Sequence, residues 1–115
     1  MVEMERQVAN VRVRNVGTLG GNLCFAEPHA DPGAFLLACD AAVKLRSHAR
    51  ERALKISDFF IDYYQTAMEE GELLTEIEIH KPRENATGVY LRFCPGERPM
   101  ASVALLLAWK NGACE

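Results

Sequence analysis

Five stretches of this chain either alternate apolar with polar residues or run apolar, and turn-forming residues close each of them off. Ala42-Val43-Lys44-Leu45-Arg46 and Arg52-Ala53-Leu54-Lys55-Ile56 flank the polar link Ser47 to Glu51. Successive strand side chains point to opposite faces, so runs of period two are half-buried strands, and two such runs across a short polar link form a hairpin. Leu74-Thr75-Glu76-Ile77-Glu78-Ile79 alternates as cleanly, and Pro82 ends it. Gly88 to Phe93 is a further strand, and Ser102 to Lys110 is the last. That last one is apolar on both faces near its middle, so it requires cover from other segments. Asn111-Gly112 is a hairpin turn signal. The pattern predicts an α+β fold: an antiparallel sheet of about five strands with short helices.

The segments between the strands carry weaker signals. Val11-Arg12-Val13-Arg14 alternates apolar and basic, which predicts a half-buried strand. Asp31 followed by Pro32 reads as an N-cap and first helical position, opening a short, largely buried helix through Ala34 to Cys39. Ser57-Asp58 is expected to cap another helix through Phe59, Phe60, Ile61 and Tyr63, whose aromatic rings read as core. Tyr63 and Tyr64 then need partners for their hydroxyls. Glu69-Glu70-Gly71-Glu72 reads as an acidic turn with a solvated face.

At 115 residues the chain is one domain or a piece of one. It is 49% apolar and 25% charged, as a globular chain should be. The net charge is −3 and no basic stripe stands out, which argues against a nucleic-acid partner. The longest uninterrupted apolar run, Val103 to Trp109, is too short to span a bilayer. The first ten residues are polar and carry no signal-peptide core, so a cytoplasmic location is expected. Cys24, Cys39, Cys94 and Cys114 are widely spaced, without a C-x-x-C pair; Cys39 reads as packing and Cys114 as an exposed thiol. His29, His48 and His80 lack companions at metal spacing, and no metal is expected.

One stretch does not belong to this strand pattern. Arg14-Asn15-Val16-Gly17-Thr18-Leu19-Gly20-Gly21-Asn22-Leu23 places three glycines within five positions, beside a hydroxyl and two amides. Glycine permits positive φ and close approach, and a run of bare N–H groups makes a nest for an anion such as a phosphate or pyrophosphate. Thr18 and Asn22 would add side-chain hydrogen bonds. The plain alternative is a tight turn between buried segments. No Gly-Lys-Ser/Thr follows, so this is not a P-loop, and it lacks the Rossmann strand–glycine–helix spacing. Arg14 either assists anion binding or is a solvated edge residue.

Thr18-Leu19-Gly20-Gly21-Asn22, preceded by Arg14-Asn15 and followed by Asp31-Pro32, resembles the FAD-binding subunit of the molybdenum hydroxylases, the xanthine dehydrogenase and aerobic carbon monoxide dehydrogenase family. The likeness continues through Leu36 to Ala41, Asp58-Phe59-Phe60, Gly71 to Ile79 and Tyr90 to Phe93. It implies the second subdomain of a PCMH-type FAD-binding fold over residues 1–86, with 87–115 forming the last strand region and the start of a C-terminal domain. It further implies that Thr18, Leu19, Gly20, Gly21 and Asn22 hold the FAD pyrophosphate region. Asp31 would accept a hydrogen bond from the cofactor, Leu74 would pack against it, and Arg92 would approach it.

By the same resemblance FAD passes electrons from iron–sulfur clusters to an acceptor, with no catalytic acid, base or nucleophile on this chain. The implied partners are a first FAD subdomain that carries the other glycine loop, a molybdopterin-containing large subunit and an iron–sulfur small subunit. A homo-oligomer is the other possibility. The first glycine loop has no counterpart here, so half the cleft is missing and the chain alone is expected to bind FAD weakly or not at all. The turn Cys94-Pro95-Gly96-Glu97-Arg98-Pro99 is shorter than in relatives. The alternatives are a non-catalytic relic or interaction domain that keeps the fold without FAD, and a small anion-binding module.

Overall fold

A computed structural model describes residues 1–96 and 99–114; within the turn at 94–99, Glu97 and Arg98 lie outside the described residues. In chain order the elements are α1 (Val2–Glu5), α2 (Val11–Val16), α3 (Leu19–Phe25), α4 (Asp31–Ala38), β1 (Ala42–Arg46), β2 (Glu51–Lys55), α5 (Ile56–Phe59), β3 (Phe60–Asp62), β4 (Gln65–Thr66), β5 (Leu73–Glu78), β6 (Ala86–Phe93), β7 (Ala101–Lys110) and β8 (Ala113–Cys114). The α+β class with antiparallel pairing and short helices is as expected. The strands, however, divide among three sheets, ordered β2-β1-β5, β3-β4 and β6-β7-β8, where one sheet was expected. No helix among the described residues is long and apolar enough to cross a membrane.

The predicted β1–β2 hairpin is present, with Val43 opposite Leu54 and Leu45 opposite Arg52. β5 pairs with the other edge of β1, so β1 is the central strand, and Val43 and Leu45 are fully buried. Between them Lys44 faces outward and bridges Glu76 at 3.0 Å and Glu78 at 2.6 Å. Leu23 of α3, Leu36 of α4, and Ile56 and Phe59 of α5 close over the inner face to form the core. Burial of such side chains contributes about 1.5–3 kcal/mol each. At the last turn Asn111 and Gly112 adopt φ of 53° and 79°, the left-handed pair that a two-residue hairpin needs, and β8 follows.

Four local expectations fail for identifiable reasons. Val11 to Arg14 is helical, because the Asn10 side chain accepts from the N–H groups of Arg12 and Val13 and so caps α2. No residue of that helix is buried, so its apolar pattern carried no information about a face. Gly20 and Gly21 lie inside α3, and neither has positive φ. Asp31 is the first residue of α4 rather than its N-cap, a position that Ala30 takes without a side-chain bond. Helix α5 ends at Phe59, and Phe60 continues as strand β3; of the aromatic cluster only Phe59 is fully buried, while Ile61, Tyr63 and Tyr64 are exposed.

The acidic turn is not all solvated. Glu72 is buried, and its two oxygens receive Nε and Nη2 of Arg52, each at 2.8 Å. The same guanidinium donates to the Ala67 carbonyl, and the Glu69 N–H donates to Glu72. This fork-to-fork pair joins β2 to the approach of β5 and holds the Glu72 carboxyl down at about 2, through the Arg52 hydrogen bonds first and the Glu69 N–H second.

Candidate functional site

Helices α2 and α3 meet at Gly17-Thr18. The Gly17 N–H closes α2 on the Val13 carbonyl at 2.8 Å, and a Cβ on Gly17 would lie 2.9 Å from that same oxygen. Thr18 is extended and caps α3: its Oγ1 accepts from the Gly21 N–H at 3.0 Å, and its carbonyl accepts from the Asn22 N–H. The first N–H groups of a helix have no acceptor within it. Those of Leu19 and Gly20 make no hydrogen bond among the described residues.

Close approach therefore demands a glycine at position 21, and neither glycine is there for positive φ. A Cβ on Gly21 would stand 2.9 Å from Thr18 Oγ1 and push the cap aside. A Cβ on Gly20 would sit 3.6 Å from Leu74 Cδ2. Leu74, on β5, packs at the edge of the core, so the glycine stretch rests on the sheet at this point.

A cleft of about 660 Å³ opens in front of this joint, lined by Gly17, Thr18, Leu19, Gly21 and Asn22 together with Arg14. Val13, Val16, Phe25 and Pro32 give it apolar walls. A second cavity of about 220 Å³ adjoins it and is lined by Asn22, Asp31 and Arg92. Asn22 and Val8 line both spaces. Asn22 Oδ1 is buried and has no hydrogen-bond partner among the described residues, which is rare for a polar atom.

Asp31 is 3% exposed. Its Oδ1 accepts from the Tyr90 hydroxyl, and its Oδ2 accepts from Arg92 Nη1 at 3.0 Å. Arg92 also donates to the Gln7 carbonyl and, through Nη2, to Cys94 Sγ. Burial, then the bond to Asp31, pushes the Tyr90 hydroxyl up to about 12. The structure thus places Thr18, Leu19, Gly21 and Asn22 on the main cleft and Asn22, Asp31 and Arg92 on its neighbour. Gly20 and Leu74 contact each other.

Sequence reasoning missed Tyr90, which sits 59 positions from the carboxylate it serves. It also missed Glu27, whose Oε2 accepts from Tyr64 at 2.6 Å and whose Oε1 meets His29 Nδ1 at 2.8 Å. Those two bonds, Tyr64's first, hold the Glu27 carboxyl at about 2. Tyr64 has φ of 58°, and its N–H donates to the Ala26 carbonyl. No local pattern announces the bonds of Tyr90 to Asp31 and of Tyr64 to Glu27, because their partners lie far apart in sequence, whereas Glu27 and His29 are near neighbours in one loop.

Residues 1–82 match the family described as FAD binding domain in molybdopterin dehydrogenase. The chain belongs to this family. Within it, the glyceraldehyde dehydrogenase medium chain of Sulfolobus acidocaldarius is 34% identical over 112 residues, covering 96% of this chain and 40% of that protein. The carbon monoxide dehydrogenase medium chain of Afipia carboxidovorans is 32% identical over 93% of this chain and 38% of its own length. Among solved structures, reconstituted CO dehydrogenase from Oligotropha carboxidovorans superposes with a TM-score of 0.92 at 30% identity, covering 97% of this chain and 40% of that one. The chain therefore spans about 40% of the length of the relatives it matches. The glyceraldehyde dehydrogenase and carbon monoxide dehydrogenase relatives are both named as medium chains.

Proposed function

We propose that this FAD-binding-family chain is the flavin-holding part of a molybdenum hydroxylase, retaining FAD for electron transfer from iron–sulfur clusters to an acceptor. One observation carries the reading: Thr18, Leu19, Gly21 and Asn22 line a cleft of about 660 Å³, and Asn22 Oδ1 beneath its wall is unpartnered among the described residues. A flavin dinucleotide has what these atoms lack. Its phosphates can accept from the Leu19 N–H on the cleft, which lacks an acceptor among the described residues, and its hydroxyls can donate to the Asn22 side chain. Bound there, the isoalloxazine supplies the redox chemistry.

The residues of this chain bind and orient. Thr18, Leu19, Gly20, Gly21 and Asn22 are assigned to the pyrophosphate region. Asp31 retains lone pairs beyond those used by Tyr90 and Arg92, so it can still accept from the cofactor. Arg92 lies beside it, and Leu74 supports Gly20 from the sheet. The remaining wall is assigned to a first FAD subdomain, and a molybdopterin-containing large subunit and an iron–sulfur small subunit are the further partners. Residues 1–86 are read as the second FAD subdomain and 87–115 as the start of a C-terminal domain, a division supported by the separate β6-β7-β8 sheet. The assembly is placed in the cytoplasm.

A second reading is favoured by one feature. Val89, Leu91 and Phe93 of β6 and Val103 and Leu105 of β7 share a sheet face and are exposed. A flavin-free interaction domain would use such a face. Co-expression with the first FAD subdomain of a relative separates the two. A yellow complex that releases stoichiometric flavin on denaturation supports the flavin reading, whereas a colourless, well-folded complex supports the interaction domain.

A further inference from the structure

Two arginines stand near the glycine stretch, and their circumstances are opposite. Arg92 is largely buried and ion-paired with Asp31, and it also donates to the Gln7 carbonyl and to Cys94 Sγ. Arg14 lines the main cleft and forms no ion pair among the described residues. Its Nη1 donates to the carbonyls of Val8 at 2.7 Å and Ala9 at 3.1 Å. Its Nε and Nη2 donate to nothing among the described residues.

That asymmetry has a physical consequence. A guanidinium is a rigid planar fork, so two bonds to one terminal nitrogen fix the plane and leave the remaining N–H groups held in one orientation. Neutral carbonyls anchor the group without cancelling its charge. Apolar walls, here Val13, Val16 and Phe25, strengthen whatever charge interaction forms beside them. Among the described lining residues Arg14 is the only cation.

We propose that Arg14 is the phosphate-binding cation of this cleft, aimed in advance by the carbonyls of Val8 and Ala9 so that its free Nε and Nη2 donors meet a diphosphate. The proposal rests on the flavin reading above and deepens it by naming the residue that neutralises the cofactor's charge. It explains why Val8 and Ala9 are held against Arg14 while Ala9 has φ of 43°, an uncommon value for alanine: the strained turn presents both carbonyls to one nitrogen.

The test titrates the full chain with inorganic pyrophosphate, following the amides of Thr18 to Asn22 and the Arg14 Nε–H by NMR at several ionic strengths. Both sets of signals should shift with one dissociation constant. Arg14→Gln should weaken binding at least about tenfold, the effect of one charge-assisted contact, and flatten its salt dependence. Arg14→Lys keeps the charge and loses the fork, so it should bind with intermediate affinity and the unsubstituted chain's salt slope. A merely structural role would not move that slope. If the Thr18 to Asn22 amides shift but Arg14→Gln binds as tightly with the same salt slope, the Arg14 assignment is wrong and the cleft reading survives. If pyrophosphate moves neither set, the Arg14 assignment also falls, while the flavin content of the co-expressed complex independently judges the cleft.

Discussion

Gly20 of α3 and Leu74 of β5 meet so closely that a Cβ on the glycine would lie 3.6 Å from Leu74 Cδ2, an ordinary van der Waals contact. One residue further on, a Cβ on Gly21 would press to 2.9 Å from Thr18 Oγ1. Adjacent glycines therefore respond differently to alanine. Gly20→Ala should stabilise the chain by about 0.5 kcal/mol, the low end for a helical glycine because it lies in the first turn. Gly21→Ala should lose the Thr18 cap, a cost of about 1 kcal/mol that exceeds its propensity gain. Urea unfolding should rank Gly20→Ala above Gly21→Ala, and the reverse order would contradict the capping geometry.

Acid stability should depend on Glu72 and Glu27. Both carboxyls sit at about 2 in the folded chain against an ordinary 4.5. Between those values the unfolded chain binds more protons, so stability rises with pH there. The contribution is complete above about 4.5 and disappears as pH falls through about 2. Thermal midpoints recorded across that window should fall toward acid. Glu72→Gln should flatten the slope, and so should Glu27→Gln. An unaltered slope in both variants would rule out these pairs as its source.

The Tyr90 hydroxyl governs the alkaline side. It is held up to about 12 from an ordinary 10. Above about 10 the unfolded chain loses that proton first, so stability declines as pH climbs toward 12. Tyr90→Phe should remove this decline. It also leaves buried Asp31 Oδ1 without its donor, lowering neutral-pH stability by about 2 kcal/mol. Tyrosinate absorbance and urea unfolding report the two effects separately.

Asn22 should show opposite effects on stability and binding. A buried, unpartnered oxygen costs about 1–3 kcal/mol, so Asn22→Leu, similar in shape and free of that atom, should hold or raise the stability of the chain. The same change should lower the flavin retained by the co-expressed complex. Equal flavin content with and without the Asn22 amide would remove it from the site.

Removing the negative charge from the main cleft should favour an anion. Glu5 is the only carboxylate among the described lining residues, and its Oε1 is buried without a partner among the described residues. Glu5→Gln should tighten pyrophosphate binding, opposite in sign to Arg14→Gln, when the two variants are titrated side by side at low salt.

The strands were legible because period two and turn chemistry are local properties. The β1–β2 hairpin, β5, β6, β7 and the Asn111-Gly112 turn all follow from residues a few positions apart. The glycine stretch stood out as a candidate site, and its Thr18-to-Gly21 cap spans three residues. The helical state of Val11 to Arg14 was missed although its cause, Asn10, is also local, because the alternation spoke louder than the cap.

What residue order by itself settled was therefore the five longest strands, the α+β class and the position of the glycine-rich stretch, each written in neighbouring residues. Only the tertiary structure decided how the strands divide among three sheets, that Asp31 turns from capping to Tyr90 and Arg92, that Glu72 is buried on Arg52, and that Arg14 is anchored on carbonyls without an ion pair among the described residues. Those outcomes depend on which charges and donors meet once distant segments pack. A buried carboxylate takes whichever donor the fold delivers, and no sequence spacing specifies that.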